Sequence, residues 1–258
     1  MCEIFGIKIH NLTLVEVVQK IKELANLSQK SLVVTANPEI LLQAYYDSRL
    51  KTKINRAAFV LADGIGLIII SRLIGQPITK GRVTGVDLVE ELAKQSATNK
   101  LTLFLIGKDE IILQKATQNL KSKYPDAKIL GYGVGPIFSK DQTMPILDNV
   151  NQVLIKKVSN LSPDVLLVGF GSPKQDNWLD YYLPRLNCRV GIGVGGSFDY
   201  LSQSVKRAPV VWRKLGFEWL YRLINEPIRL KRIIKAVVLF PLLAIFYHIK
   251  QNVPHRTN

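Results

Sequence analysis

The sequence contains very few cysteines and histidines, and this scarcity excludes several kinds of protein. Its 258 residues include two cysteines and three histidines. Because Cys2 and Cys188 are far apart in the chain, there is neither a CxxC pair nor a disulfide framework, and we expect a reducing compartment. The histidines are equally scattered, so neither an HExxH motif nor a Cys/His cluster predicts a zinc site. We expect no bound metal and no cofactor.

Signature motifs of other large enzyme classes are missing as well. Without a Gly-Lys-Ser/Thr sequence there is no P-loop, and without Gly-x-Ser-x-Gly there is no nucleophile elbow of a serine hydrolase. No Asp-x-Asp occurs, so the carboxylate pair that commonly holds a nucleotide-bound divalent cation is absent. The opening MCEIFGIKIH lacks the long apolar run of a signal peptide, which predicts a cytoplasmic protein body.

Positive charge is abundant and is concentrated towards the C-terminus. The chain carries a formal net charge of +15. Residues 205–258, called the tail below, contain eleven Lys or Arg and two Asp or Glu, which gives the tail a charge of +9. A basic tail indicates an anionic partner, such as a membrane surface, a nucleic acid or a phosphorylated substrate. A merely solubilising tail is the alternative.

The tail is also apolar, which favours a membrane over a nucleic acid as its partner. Ile233–Ile249 is strongly apolar apart from Lys235, and Pro241 interrupts it. This run of 17 residues is shorter than the roughly 20 that a spanning helix needs, so it predicts an interfacial segment at residues 233–249. A buried C-terminal helix, a contact in a homo-oligomer and a true membrane span are the alternatives. Because no nucleic-acid-binding module is recognisable, we expect no nucleic-acid partner.

Short apolar runs alternate with helical patterns along residues 1–204. Runs that are apolar on both faces are typical of strands buried between helical layers. The runs are Ser31–Thr35, Ala57–Leu61, Leu101–Ile106, Lys128–Gly131, Val165–Val168 and Arg189–Val194. This alternation predicts an α/β, Rossmann-like fold with a largely parallel sheet flanked by helices. We expect residues 1–204 to form this core and residues 205–258 to form a helical, basic and apolar appendage.

The helical patterns carry recognisable start and stop signals. Thr13 and Glu16 form a capping-box pattern that predicts a helix running towards Leu24. Asp87–Gln95 and Asp109–Lys123 have apolar residues at helical spacing. The second of these helices is expected to end before the proline at position 125, because proline cannot continue the hydrogen-bond pattern.

Glycine and polar residues follow the predicted strands at their carboxyl ends, where open α/β sheets bind ligands. Gly169–Gln175 offers small residues, backbone N–H groups and Lys174, a combination suited to a phosphate or a sugar. A tight strand-to-helix turn is the alternative. Gly191–Gly196 matches GxGxxG only formally, since its first glycines lie inside the predicted strand and no long helix is expected after it. Close packing or ligand approach explains these glycines better than dinucleotide binding.

Two further loops contain charged candidates. Asp63 follows an apolar strand and precedes Gly64, so its carboxylate suits a general base that takes a proton from a substrate hydroxyl. The alternative is that Asp63 caps the helix expected to begin near Ile65. Arg82 stands between two glycines before a predicted helix, where a guanidinium suits phosphate. A surface loop capped by Thr84 or Asp87 is the alternative there.

Together these segments resemble the WecG/TagA/CpsF family, glycosyltransferase family 26. The resemblance runs from about residue 3 to residue 232, and the stretches occur in the family's order. The matching stretches are Thr35–Glu39, Ala62–Gly66, Arg82–Asp87, Gly169–Gln175, Gly193–Asp199, Arg207–Pro209, Glu218–Leu223 and Glu226–Arg229.

The resemblance implies an inverting, metal-independent glycosyltransferase. Members of the family move an N-acetylhexosamine-type sugar, often N-acetylmannosamine or its uronic acid, from UDP to a polyprenyl-diphosphate-linked sugar. They act at the cytoplasmic face of the membrane in teichoic-acid or surface-polysaccharide synthesis, and the tail would target the membrane peripherally or as a monotopic segment. A non-catalytic nucleotide-sugar-binding module on a membrane is the alternative function.

The resemblance also implies roles for individual residues. Asp63 matches the proposed catalytic base, while Thr35 and Asn37 match residues that line the acceptor or donor pocket. Gln175 and its glycine loop match the donor side, and tail arginines would complete the site over the diphosphate. The candidate substrate-binding residues are Thr35, Asn37, Arg82, Gly169, Gly171, Ser172, Lys174, Gln175, Gly195, Gly196, Asp199, Arg222, Arg229 and Arg232.

Overall fold

The strands form one large parallel sheet and one small antiparallel hairpin. A computed structural model describes residues 1–99, 101–136, 138 and 149–252. The strands are β1 Cys2–Ile4, β2 Ile7–Ile9, β3 Ser31–Ala36, β4 Phe59–Ala62, β5 Leu103–Gly107, β6 Ile129–Val134, β7 Val165–Val168 and β8 Val190–Gly193. β1 and β2 pair antiparallel, and the other six lie in the order β4-β3-β8-β7-β5-β6. Every described pairing in this sheet is parallel.

Helices connect the strands and continue into the tail. They are α1 Leu14–Ala25, α2 Pro38–Tyr46, α3 Ser48–Asn55, α4 Ile65–Leu73, α5 Gly85–Asn99, α6 Glu110–Lys123, α7 Asn149–Leu161, α8 Lys174–Tyr182, α9 Ser197–Leu201, α10 Val210–Lys214, α11 Glu218–Asn225, α12 Leu230–Ile234 and α13 Phe240–Asn252. A short 3-10 turn precedes α12, and the π-helical segment Lys235–Leu239 joins α12 to α13.

The predicted α/β fold with a parallel sheet is confirmed. Each of the six apolar runs overlaps a strand of the sheet, and no strand end differs from the end of its run by more than three residues. The capping box at Thr13 is present, because its hydroxyl accepts from the Glu16 N–H while the Glu16 carboxylate accepts from the Thr13 N–H. Asp109 caps α6, and the helix after β8 is only five residues long, too short for a dinucleotide fold.

The core lies on both faces of the sheet, which makes a three-layer structure. One apolar cluster joins the sheet to α1, α5 and α6. On the other face, a second cluster joins β1, β2, α2, α3 and α4, and a third joins α7 and α8. The strands contribute to both layers because they are apolar on both faces. Because all six strands run parallel, their carboxyl ends lie at the same edge of the sheet. The loops described below follow the strands at this edge.

The tail packs back onto this core. Residues Pro227–Gln251 form one helical stretch of 25 residues, called the tail helix below. Phe240 of the tail helix is fully buried against Phe5, with ring centroids 5.8 Å apart. Burying one such ring contributes about 2 kcal/mol. The division into a core and an appendage at residue 204 stays a prediction, and residues 253–258 of the predicted appendage lie outside the described residues.

The tail helix is longer than the apolar run in the sequence suggests. By length and composition alone, its 25 residues are enough to cross a membrane. The predicted interfacial position of residues 233–249 stays a prediction, with a membrane span as its alternative. The helix continues through Pro241 because this proline stands in the first turn of α13, directly after the π-helical segment, where the regular hydrogen-bond pattern is already changed.

Candidate active site

A cavity of about 650 Å³ opens at the carboxyl ends of the strands. Its walls come from the loops after β3, β4, β5, β7 and β8 and from the tail. Among the residues predicted from sequence, those in the wall are Thr35, Asn37, Asp63, Arg82, Gly169, Gly171, Ser172, Gln175, Gly195, Gly196, Asp199, Arg222, Arg229 and Arg232. Lys174 is the one predicted residue outside the described lining, and its ammonium lies over the ring of Phe138 instead.

Asp63 stands in the cavity wall directly after β4. Its reading as a helix cap is wrong, because α4 is capped at Gly64 and no side-chain hydrogen bond closes the helix start. Burial and the nearby Glu218 carboxylate raise the pKa of Asp63 to about 7, although a Gly85 backbone hydrogen bond and the Arg82 guanidinium act against the shift. A carboxyl group with a pKa near neutrality is suited to general-base chemistry.

A network of ion pairs joins the tail to the core beside Asp63. The guanidinium of Arg82 lies 3.0 Å from a carboxylate oxygen of Glu218 in α11. The guanidinium of Arg207, which belongs to the tail, lies 2.7 Å from a carboxylate oxygen of Asp87 in the core. It also lies 3.8 Å from a carboxylate oxygen of Glu218. These partly buried pairs hold the tail residues against the carboxyl edge of the sheet. Arg82 therefore already has Glu218 as an ion-pair partner, and its charge is not available to a phosphate without competition from that carboxylate.

Thr84, Asp87 and Arg207 link the start of α5 to the same network. The Thr84 hydroxyl accepts from the Asp87 N–H at 3.1 Å, so Thr84 is the cap among the two alternatives that the sequence left open, although it is buried rather than in a surface loop. A guanidinium N–H of Arg207 donates to the same hydroxyl at 3.2 Å. Although burial acts to raise it, hydrogen bonds from Arg207 and Thr84 hold the pKa of Asp87 below its usual value. Asp87 therefore stays ionised and binds the tail.

Gln175 connects the two glycine loops that follow β7 and β8 in the cavity wall. Its side chain is almost fully buried, and its Oε1 accepts from the N–H groups of Gly171 at 3.1 Å and Gly195 at 3.0 Å. A Cβ atom on Gly193 would lie 2.5 Å from the Gln175 Nε2, so this strand position requires glycine. Since both N–H groups are occupied, they are not free donors for a phosphate.

Thr35 and Asn37 are held by structural hydrogen bonds while they line the cavity. The Thr35 hydroxyl donates to the Gly193 carbonyl oxygen at 2.7 Å, across the β3–β8 pairing. The Asn37 Oδ1 accepts from the Ile40 N–H at 3.0 Å and so caps α2. Both side chains therefore have fixed orientations in the cavity wall.

A second group of cations lines another part of the cavity. Three come from the tail: Arg222 lies 3.1 Å from Glu226, Arg229 pairs with the same carboxylate, and the Arg232 Nε lies 3.0 Å from Glu39. Asp199 is in this part of the wall, and burial raises its pKa despite the nearby Arg222 guanidinium. Guanidinium groups in such a cluster suit a diphosphate.

Lys108 belongs to this cationic group but was not among the candidates from sequence. Burial, followed by the nearby Lys174 charge, lowers the pKa of Lys108, and the Arg232 and Arg229 charges act in the same direction. Its position directly after β5, at the carboxyl edge of the sheet, is the signal that identifies it. Within the described ranges, no group of three His, Cys, Asp or Glu is placed to hold a metal ion.

Comparisons with known proteins identify one family model and a set of similar curated proteins. A family model described as "Glycosyl transferase WecG/TagA/CpsF family" matches residues 2–254. Curated relatives from Staphylococcus aureus strains MW2 and NCTC 8325 are named N-acetylglucosaminyldiphosphoundecaprenol N-acetyl-beta-D-mannosaminyltransferase. Each is 32% identical over 240 residues, which cover 92% of this chain and 89% of the relative.

Proposed function

Because this chain belongs to the WecG/TagA/CpsF family of glycosyltransferases, we propose that it transfers N-acetylmannosamine from UDP to a polyprenyl-diphosphate-linked N-acetylglucosamine. The single observation that carries the proposal is the cavity that holds Asp63, with a pKa of about 7, together with a group of tail guanidiniums. The names of the relatives support both the sugar and the acceptor. The uronic acid of N-acetylmannosamine is the alternative donor sugar.

In this proposal Asp63 is the general base of a single, inverting displacement. The acceptor hydroxyl oxygen forms a bond to the anomeric carbon while the bond from that carbon to UDP breaks. The hydroxyl proton moves to the Asp63 carboxylate, and UDP leaves with the electron pair. A pKa near 7 leaves enough Asp63 ionised at neutral pH while keeping it basic enough to take the proton.

In this proposal, cationic side chains of the protein stabilise the negative charge that develops on UDP. Arg222, Arg229 and Arg232 reach the cavity wall from the tail, and Lys108 reaches it from the core. The Gly171 and Gly195 N–H groups, which a glycine loop would otherwise offer to the phosphates, are bound to Gln175. Cationic side chains therefore provide the stabilisation of the leaving group in this mechanism.

A transfer assay with the purified full-length chain tests the function. UDP-N-acetylmannosamine, its uronic acid and UDP-N-acetylglucosamine are offered with a short-chain lipid-diphosphate N-acetylglucosamine, each with and without EDTA. We expect transfer from UDP-N-acetylmannosamine that persists in EDTA. Binding of UDP without turnover of any donor would instead favour the non-catalytic module. Strict dependence on an added divalent cation would contradict stabilisation of UDP by arginines.

We also propose that the tail helix lies in the cytoplasmic face of the membrane as a monotopic segment. Its inner face packs on the core through Ile233, Phe240 and Ala244, which are buried. The adjoining face carries exposed apolar residues at helical spacing: Ile234, Val238, Leu242 and Phe246. A membrane span would remove the inner face from the core, whereas an interfacial position keeps both sets of contacts.

Flotation with liposomes tests this position of the tail helix. The chain should float with vesicles that contain anionic lipid and stay bound until high salt weakens the contribution of the basic residues. Leu242→Ser should reduce flotation, since this residue is 63% exposed and faces away from the core. A gel shift with an oligonucleotide, but no flotation, would support nucleic-acid binding instead.

A further inference from the structure

One stripe of α4 leads from the cavity to the protein surface. Ile65, Ile69 and Leu73 follow each other at intervals of four residues, so they lie along one side of the helix. Ile65 and Ile69 line the cavity, yet Ile69 is also 51% exposed and Leu73 is 65% exposed. The stripe is therefore a continuous apolar strip that begins in the catalytic cavity and ends in solvent.

The tail helix supplies a second apolar strip beside the first. Ile233, Val237 and Pro241 are again spaced by four residues, and all three line the cavity. Val237 is also exposed at the surface. The α13 part of the tail helix packs against α4, so the two strips lie on neighbouring helices.

A turn between α10 and α11 packs against the cavity end of the α4 stripe. A Cβ atom on Gly216 would lie 2.8 Å from the Cγ1 of Ile65, so this turn touches the first residue of the stripe. Leu215 and Phe217, on either side of that glycine, are exposed apolar residues. The opening between the two helices is therefore bordered by apolar side chains. We call the apolar surface formed by Ile65, Ile69, Leu73, Ile233, Val237 and Pro241, which extends from the cavity wall to the exposed Leu73, the portal.

We propose that the portal binds the first isoprene units of the acceptor's lipid chain. This inference rests on the proposed function, in which the acceptor joins a sugar diphosphate to a polyprenyl chain. The cavity likewise has a polar part and an apolar part. Asp63 and the cationic side chains line the polar part, which suits the sugar diphosphate, and the portal is the apolar part, which suits the polyprenyl chain. An apolar chain that stays in the portal leaves the sugar hydroxyl near Asp63 without exposing isoprene units to water.

The choice of occupant follows from the neighbourhood of the portal. The surface next to it carries the exposed apolar residues Val238 and Leu242 of the tail helix. Arg72 is exposed on α4 between the last two residues of the stripe, where its charge suits an anionic membrane surface. A lipid chain that leaves the portal therefore passes directly from the protein to the proposed membrane face.

Chain-length selectivity provides the first test. Ile69→Ser and Val237→Ser are assayed in detergent with a polyprenyl acceptor and with an acceptor carrying a short alkyl chain. The KM for the polyprenyl acceptor should rise about tenfold more than the KM for the short acceptor, equivalent to about 1.4 kcal/mol of lost apolar contact. Equal changes for both acceptors, or no change for either, would overturn the portal.

Phe246→Ser is the matched control, because this residue is on the same tail helix, is 64% exposed and does not line the cavity. The control should weaken binding to vesicles and leave the ratio of the two KM values in detergent as in the wild type. A change in that ratio as large as that of Ile69→Ser would mean that general lipid affinity, not the portal, causes the effect.

A photo-crosslinking experiment tests the portal without any turnover. A prenyl diphosphate with a benzophenone at its apolar end is irradiated with the full chain, and the labelled peptides are identified by mass spectrometry. Label should appear in residues 65–73 and 233–241 and decrease in Ile69→Ser. Label confined to other segments would refute the portal. If the chain transfers no sugar but labels these two segments, the proposed function fails while the portal stands.

Discussion

Replacing Asp63 by asparagine should stabilise the protein at alkaline pH while removing the proposed catalytic base. The folded chain raises the pKa of Asp63 from 3.8 to about 7, because ionised Asp63 is partly buried and faces Glu218. Ionised Asp63 is therefore less stable in the folded chain than in the unfolded chain. Asparagine keeps the shape and an acceptor oxygen for the Gly85 backbone, but it carries no charge.

The size and the pH dependence of the effect follow from linkage. A carboxyl group whose folded pKa is raised costs nothing below about pH 4, and the cost grows until the pH passes about 7. The difference between a pKa of 3.8 and one of about 7 corresponds to roughly 4 kcal/mol, which we reduce to about 2 kcal/mol because the Asp63 side chain is partly accessible to solvent. For a chain of this size that is a rise in Tm of about 4–8 °C at pH 8.

Thermal unfolding followed by circular dichroism at pH 5 and pH 8 measures the effect. Asp63→Asn should unfold several degrees above the wild type at pH 8, and the difference should shrink by more than half at pH 5. Asp109→Asn is a suitable control, because Asp109 caps α6 at the surface and its loss should not stabilise the chain. A Tm difference that is absent at pH 8, or equal at both pH values, would refute the assignment of a raised pKa to Asp63.

Three further substitutions, one of them with a control, test the cavity and the strand that supports it. Glu218→Gln should lower the pKa of Asp63 and move the acidic limb of the kcat/KM profile to lower pH, whereas an unmoved limb would show that Glu218 does not act on the base. Lys108→Gln should raise the KM for the UDP-sugar about tenfold, and Lys174→Gln, outside the cavity lining, should change it less; equal effects would contradict the cationic site. Gly193→Ala should lower the Tm, since its methyl group would lie 2.5 Å from a buried amide nitrogen, and an unchanged Tm would show that the loops adjust freely.

The sheet could be predicted from sequence because its strands are apolar on both faces. That pattern depends only on neighbouring residues, and the loops that follow parallel strands must meet at one edge. Asp63 and Gln175 are therefore identifiable as candidates from the sequence alone, since both lie in loops that follow predicted strands. The sequence could not decide between a base and a helix cap at position 63, since the two differ by whether α4 is capped at Asp63 or at Gly64.

Contacts between distant parts of the chain were beyond the reach of a single sequence. Glu218 was noticed only as part of a family motif, and its pairing with Arg82 depends on how the tail folds back onto the core. The portal was missed for the same reason, because Ile69 looks like an ordinary apolar helix residue until the tail helix is placed beside it. Lys108 could not be identified in this way either, because the charges that surround it come from distant parts of the chain.

The most direct test of the central claim is the kcat of Asp63→Asn in sugar transfer from UDP-N-acetylmannosamine to lipid-diphosphate N-acetylglucosamine. Loss of a general base should reduce kcat by about 10²- to 10⁴-fold. The variant should still bind UDP, because its cationic side chains are unchanged. A variant that transfers sugar at the wild-type rate would contradict the role of Asp63 and, with it, the catalytic mechanism built on this cavity.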